Sequence, residues 1–401
     1  MKKLLQNIKG DKVIWSVVVI LSLFSLLLIY STTDRLALEH NSTPFRFLIS
    51  QIFYLILGLG TVYIFHKIKY TRFMKWSVYL FLASIPLLLY TLFFGTELNS
   101  GSRWISIPFV GVTIQTSDLA KLAIFTFLAR QLSLKQKVIG DFWKGFFPVL
   151  FPVLVICGLI APANLSTALL LGATCCFMFF IGRIPMKHIL LLIVAGIGLV
   201  LCIFAISKLT GKGRGGTWQK RIEVFMGKNA DADDTYQTDQ ANIAIANGKI
   251  LGRGPGNSYA KNFLPHPYSD FVFAIVIEEY GLFGASVVMF CYLLFLWRSI
   301  NIFRRCPYAF GAFLSIGLSF TLVFQAMINM AVAVHLVPVT GQTLPFISKG
   351  GSSIVFTAIA VGVILSVSRY VDEMEGKQQL VKQIEKEEQE KAALAAAQNN
   401  S

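Results

Sequence analysis

The stretch from Tyr236 to Gly281 reads YQTDQANIAIANGKILGRGPGNSYAKNFLPHPYSDFVFAIVIEEYG and holds many of the side chains that could do chemistry. Gly252, Gly254 and Gly256 alternate, followed by Ser258, Lys261, a Leu264-Pro265-His266 turn and Asp270. Asp270 stands where a polar segment gives way to an apolar one, so its carboxylate could serve as a general base at a membrane boundary. The same position suits a helix cap, because an acidic residue beside the first turn complements the helix dipole. The glycines could turn backbone N–H groups toward an anion as a nest, or could simply form a flexible turn. No βαβ unit surrounds them, which excludes a dinucleotide fingerprint.

Other candidates lie inside or beside apolar runs. Asp118 and Lys121 are three residues apart in QTSDLAKLA, so on a helix they share a face and can pair. Charges in a spanning segment are costly and usually face a cavity or the bundle interior, although a pair this near a helix start could also snorkel. Arg103 and Trp104 could bind phosphate oxygens through the guanidinium, or act as an interfacial anchor. Glu278 lies eight residues beyond Asp270, roughly 12 Å along a helix, and neither it nor Glu279 belongs in lipid. Gln325 and Asn329, at i and i+4, share one polar face. Together these residues imply a polar interior. GQTLPFISKGGSS at 341–353 reads as a re-entrant loop capped by Ser352 or Ser353.

The elements that must position these residues are membrane helices. The 401 residues are 55% hydrophobic and only 14% charged, and mean hydropathy is +0.64; soluble domains carry roughly 25% charged residues. The formal charge of +15 comes from short clusters between apolar runs, which excludes a nucleic-acid surface. The six cysteines lie within or at the ends of apolar segments without zinc spacing, so neither a disulfide nor a metal cluster is expected. The N-terminus lacks a cleavage site and reads as a first spanning helix rather than a signal peptide.

Ten segments are long enough to span, at about 20 residues each: 13–30, 46–66, 76–95, 116–131, 146–161, 165–182, 187–206, 271–297, 309–336 and 352–370. Lys and Arg cluster at alternate ends of these segments, which puts both termini in the cytoplasm. The expected fold is therefore an all-α integral membrane protein with ten transmembrane helices. Residues 1–12 form a cytoplasmic segment, 13–370 the membrane domain and 371–401 a polar cytoplasmic tail that makes a fraying helix. The outer side holds a loop at 96–115, a tight turn at 162–164, one large loop at 207–270 between the seventh and eighth helices, and the return at 337–351. Cations in the large loop run against the positive-inside rule and suggest an anionic ligand there.

Five separated motifs resemble the SEDS family (shape, elongation, division and sporulation). They are GSRWI at 101–105, QTSDLAK at 115–121, PANLSTA at 162–168, GRGPGNSYAKNFLPHPYSDFVFAIVIEEYG at 252–281 and PVTGQTLPFISKGGSS at 338–353. The resemblance covers essentially the whole membrane domain, and GDKVIWSVV…YSTT at 10–33 is more similar to the division branch than to the elongation branch.

This resemblance implies a peptidoglycan glycosyltransferase that polymerises lipid II at the outer face of the bacterial cytoplasmic membrane, at the division septum. It implies work with a class B penicillin-binding protein and other divisome proteins, with no nucleic-acid partner. The family's essential aspartate falls on Asp270, as general base. Arg103, Trp104, Lys121, Lys261 and Ser258 become candidates for holding the substrate diphosphate, and Asp118, Glu278, Gln325 and Asn329 for supporting the cavity, with Glu278 as structural support or cavity lining. A divalent cation (Mg2+ or Mn2+) is left open, and no organic cofactor is implied. A lipid II flippase, an elongation-type polymerase and a scaffold for the transpeptidase remain alternatives; no inverted repeat or paired broken helices are discerned. Three positions depart from the family pattern. Asp118 and Thr116 stand in QTSD for QPSE, Asn164 replaces an acid, and Lys349 replaces a tyrosine.

Overall fold

In the computed structural model, helices occupy each of the ten apolar segments. The structure describes residues 9–33, 43–97, 102–106, 113–210, 221, 225, 232–264 and 267–399. The helices are α1 (Lys12–Thr32), α2 (Pro44–Lys67), α3 (Tyr70–Phe94), α4 (Thr116–Lys135), α5 (Phe147–Ile160), α6 (Leu165–Ile181), α7 (Met186–Thr210), α8 (Ala232–Gly248), α9 (Val272–Arg305), α10 (Ala309–Ala333) and α11 (Gly351–Asn399). A π-helical turn, Phe142–Phe146, leads into α5.

Seven of these helical stretches are long and apolar enough to cross a membrane by length and composition: α1, α2, α3, α5 with its π turn, α9, α10, and α11 as far as Glu385. The α6 helix and α7 up to Cys202 are apolar but shorter. The α4 helix carries Asp118 and Lys121 within its apolar stretch. Large apolar side chains remain exposed along the outer helices, with Phe93 and Phe94 each 73% exposed. In water such a belt would aggregate; in a bilayer it is the lipid face. The chain is a multi-pass membrane protein.

The most enclosed helices are α10 and the apolar part of α11. At the end of the bundle away from Asp270, the Asp11 carboxylate caps α1 by accepting from Val13 N–H at 2.9 Å and Ile14 N–H at 3.1 Å. Its other oxygen pairs with Arg298 of α9 at 2.5 Å, and its own N–H donates to Ser368 of α11 at 3.0 Å. One residue thus pins three helices together, two through its carboxylate and the third through its backbone N–H.

Three features differ from the expected architecture. Residues 96–115 are not wholly loop: β1 (Thr96–Glu97), β2 (Ser102–Ser106) and β3 (Thr113–Gln115) form a small antiparallel sheet in the order β1-β2-β3. The 207–270 segment carries α8 and a 3-10 turn at Ala260–Asn262. The α9 helix is broken at Gly281, whose φ of 68° and ψ of −170° are essentially glycine-only. The break leaves a buried half-helix, residues 272–280, ahead of the long remainder. The tail does continue α11 as a helix, to Asn399.

The break is stabilised from outside the helix. Residues 249–254 run along it: Arg253 N–H donates to Glu278 O and Gly254 N–H to Glu279 O, both at 2.9 Å, while Leu282 N–H donates to Lys249 O at 3.0 Å. This closeness requires missing side chains. A Cβ on Gly252 would sit 2.2 Å from Glu279 O, and one on Gly281 would sit 2.2 Å from Ile250 O.

Candidate functional site

Asp270 lies two residues ahead of the first residue of α9. The cap position belongs to Phe271 and has no side-chain cap hydrogen bond, so the helix-cap reading of Asp270 is overturned. Its carboxylate instead accepts from the neighbouring Ser269 hydroxyl at 2.8 Å, and the residue is half-buried. A partly exposed carboxylate that accepts a hydrogen bond is held in a defined orientation.

The backbone around Asp270 is held by the loop before α11. Ser348 Oγ donates to Ser269 O at 2.8 Å, and Lys349 N–H donates to Tyr268 O at 2.9 Å. From α10, Asn329 Nδ2 donates to Asp270 O at 3.1 Å and to Gln342 O at 2.6 Å. Gln342 in turn donates to Thr167 Oγ1 of α6 at 2.7 Å. Asp270 is therefore set on a backbone fixed from two directions.

The same loop reaches the buried pair. Lys121 Nζ lies 2.8 Å from Asp118 Oδ1 and donates to Gln325 Oε1 at 3.1 Å. Gln325 Nε2 donates to Thr343 O at 2.9 Å, and the Thr343 and Ser353 hydroxyls lie 3.3 Å apart. A cavity of about 40 Å3 opens beside this chain, bordered by Asp118, Lys121, Thr321, Gln325, Ser353 and Thr357. It is polar on one side and roomy enough for water. The i, i+3 pairing and the shared Gln325–Asn329 face are thus realised, both directed into the bundle.

The sheet brings Trp104 near the start of α11. Trp104 pairs in register with Gln115, and Gln115 N–H donates to Ser352 Oγ at 3.4 Å. Trp104 is half-buried. The side chain of Arg103 and the whole of His266 lie outside the described residues, as do most of the cations of the 207–231 stretch.

Glu278, Ser258 and Lys261 form a separate cluster. Glu278 is fully buried and accepts from the Ser258 hydroxyl, from Tyr259 N–H at 3.0 Å and from Ala260 N–H at 3.2 Å, with Arg253 3.8 Å away. Ser258 Oγ also accepts from Lys261 N–H at 3.1 Å, and Lys261 Nζ donates to Gly256 O at 3.1 Å. These contacts make Glu278 the anchor of the glycine-rich segment. The anion-nest reading fails at Gly252 and Gly254, because both N–H groups donate to the protein's own carbonyls, Gly248 O and Glu279 O.

Asn164 has a structural role: it caps α6, accepting from Thr167 N–H at 3.3 Å. For a divalent cation, the described residues offer no group of three His, Cys, Asp or Glu side chains. Among the described residues, the oxygen donors at Asp270 include its carboxylate and the Ser269 hydroxyl. The site residues that sequence reasoning missed are Ser269, Gln342, Thr343, Ser348 and Thr167. The signal of Gln342, Thr343 and Ser348 was weak, because single polar residues in a Pro/Gly-rich return are common in loops that do nothing but turn, while Thr167 lies within α6 and Ser269 just ahead of α9.

Comparison with known proteins identifies the family. The family model described as "Cell cycle protein", grouping FtsW, RodA and SpoVE, matches residues 11–373. The chain is 32% identical over 374 residues to the probable peptidoglycan glycosyltransferase FtsW of Geobacter sp. strain M18, covering 91% of this chain and 98% of that protein. It is 33% identical over 371 residues to the stage V sporulation protein E of Bacillus subtilis strain 168, covering 90% and 97% respectively. Among solved structures, a chain of a peptidoglycan synthase complex that coordinates polymerization and crosslinking superposes with a TM-score of 0.72 at 25% identity, over 90% of this chain and 98% of that one. The rod-shape-determining protein RodA of Thermus thermophilus shares the fold, with a TM-score of 0.64 at 24% identity over 90% and 97%. With a family model matched from the first helix to the start of the tail, this chain belongs to the FtsW/RodA/SpoVE family.

Proposed function

We propose that the chain is a peptidoglycan glycosyltransferase that polymerises lipid II at the outer face of the bacterial cytoplasmic membrane, serving the division septum. In this reading the ten apolar helices all span, both termini are cytoplasmic, and Asp270 faces outward. The observation that carries it is the setting of Asp270, a half-buried carboxylate on a backbone pinned by Asn329 and Ser348.

Asp270 takes the proton of the acceptor sugar's 4-hydroxyl as that oxygen attacks C1 of the donor. The C1–O bond to undecaprenyl diphosphate breaks, its electrons leave with the diphosphate, and a β-1,4 link forms with inversion. General base catalysis of this kind contributes typically about 10²–10⁴-fold. Preorganised donors aimed at the leaving group supply more; the candidates are the cations Arg103 and Lys261, with the Trp104 indole N–H as a neutral donor. Lys121 is already bound to Asp118 and Gln325, so it acts from beneath, by supporting the loop. A class B penicillin-binding protein would cross-link the product, in keeping with the similarity to a synthase complex.

The decisive measurement is glycan formation by the purified chain with its transpeptidase partner. Asp270→Asn is expected to lose polymerisation by at least about 10²-fold while inserting and melting normally; normal polymer from that variant would remove Asp270 as base. A flippase reading draws support from one observation, the broken α9 beside a buried polar chain. Lipid II supplied already on the outer face separates the two, since a polymerase consumes it and a flippase has nothing left to move.

A further inference from the structure

Lys349 is one of the departures from the family pattern, and its surroundings give it a task. Its ammonium lies 4.0 Å from the ring centre of Phe47 on α2 and 4.9 Å from that of Tyr268. Its backbone N–H is bonded to Tyr268 O, and the preceding Ser348 is bonded to Ser269 O, so it stands alongside the strand of chain that presents Asp270. Among the described residues no carboxylate lies within ion-pair distance of it. Burial alone pushes its pKa down, to about 8, with no acidic neighbour acting in the other direction.

Two aromatic faces offset part of the cost of holding a cation out of water. They do not replace a counter-ion, and a half-buried charge without one is expensive. An anion from outside the protein would repay that cost. Phosphoryl oxygens are the chemistry that suits a compact ammonium at a membrane boundary. Two sources could supply them there, the diphosphate of a lipid-linked sugar and the headgroup of an anionic phospholipid.

We propose that Lys349 is an anion-binding residue that holds a phosphoryl oxygen of the donor's diphosphate, across the site from the base Asp270. This rests on the glycosyltransferase reading for the identity of the ligand, though not for the existence of the anion site. As the glycosidic bond breaks, negative charge builds on the diphosphate, and an ammonium already in place stabilises it without reorganisation. A tyrosine at this position would offer a hydroxyl donor but no positive charge, which makes the charge a property of this chain's own sequence.

The test is acylation of Lys349 by an amine reagent, read by mass spectrometry, on the full chain in nanodiscs of zwitterionic lipid. Inorganic diphosphate is expected to slow labelling of Lys349 about tenfold or more, the size of one charge-assisted hydrogen bond, and to do so equally in the Asp270→Asn variant. Lys349→Met is expected to raise KM for the lipid-linked donor by a similar factor, with Lys349→Arg restoring most of it. No protection by inorganic diphosphate overturns the proposal, as does protection by phosphatidylglycerol in the nanodisc with none from diphosphate. Protection by diphosphate together with normal polymer from Asp270→Asn would keep the anion site and defeat only the assignment of the base.

Discussion

At the scale of single residues, burial and partnership divide the charged groups into those that build and those that remain available. Glu278 has its oxygens committed to Ser258 and two backbone N–H groups, and Asp118 and Lys121 are committed to each other. Asp270 and Lys349 are half-buried, and among the described residues the Lys349 ammonium has no carboxylate within ion-pair distance. The Asp118–Lys121 pair was legible from spacing alone, because i, i+3 neighbours share a face in any helix. The work of Glu278 was not, because its partners lie 18 to 20 residues back and meet it only through the packed loop. Lys349 carries a prediction with a definite sign. Its folded pKa of about 8 lies below the ordinary 10.5, so between those values the unfolded chain binds more protons and stability rises with pH. Below about pH 8 the penalty is fully present. The melting temperature of the wild-type chain in detergent should therefore gain on that of Lys349→Met as pH is raised from 8 toward 10.5. A difference between the two that stays flat over this window would show that the ammonium is not desolvated.

At the scale of elements, the ten apolar segments were readable because hydropathy over some 20 residues is a strong signal. The interruption of α9 was not. A glycine in an apolar run reads as a tolerated weakness, whereas Gly281 ends one helix and starts another. What sets the break is an approach from elsewhere in sequence, residues 249–254 donating to and accepting from the backbone of 278–283. The small sheet was missed for a similar reason, since strands of two, five and three residues leave too little alternation to detect. Gly281→Ala should be damaging twice over. It forces a side chain into a conformation costing about 1–3 kcal/mol and drives its Cβ to 2.2 Å from Ile250 O. Gly256→Ala meets the first cost only, since its φ is +80° but nothing lies within 4 Å of the added Cβ. Gly281→Ala should therefore melt several degrees lower than Gly256→Ala and expose the 249–262 segment to protease. Equal melting temperatures for the two would mean that the close approach contributes nothing.

Across the whole molecule, two polar branches converge on adjacent residues of the return loop, Gln342 and Thr343. One runs from Asp118 and Lys121 on α4, through Gln325 on α10, to Thr343 in the return loop and Ser353 on α11. A second branch runs from Asp270 through Asn329 and Gln342 to Thr167 on α6. Each link is individually modest, but in a low-dielectric interior leaving any member unpaired is costly. The geometry of Asp270 is thereby coupled to the packing of four helices, and that coupling can be separated from stability. Asp118→Asn strands the buried Lys121 ammonium, which typically costs about 3–5 kcal/mol, so it should lower both the melting temperature and polymer yield. Replacing the pair together, as Asp118→Leu with Lys121→Met, removes both charges, and such swaps are often neutral for stability. The double variant should recover much of the melting temperature while polymer formation stays low, because Gln325 loses the ammonium that orients it toward Thr343. Full recovery of polymerisation in the double variant would show that the pair only packs, and that the loop holding Asp270 is positioned without it.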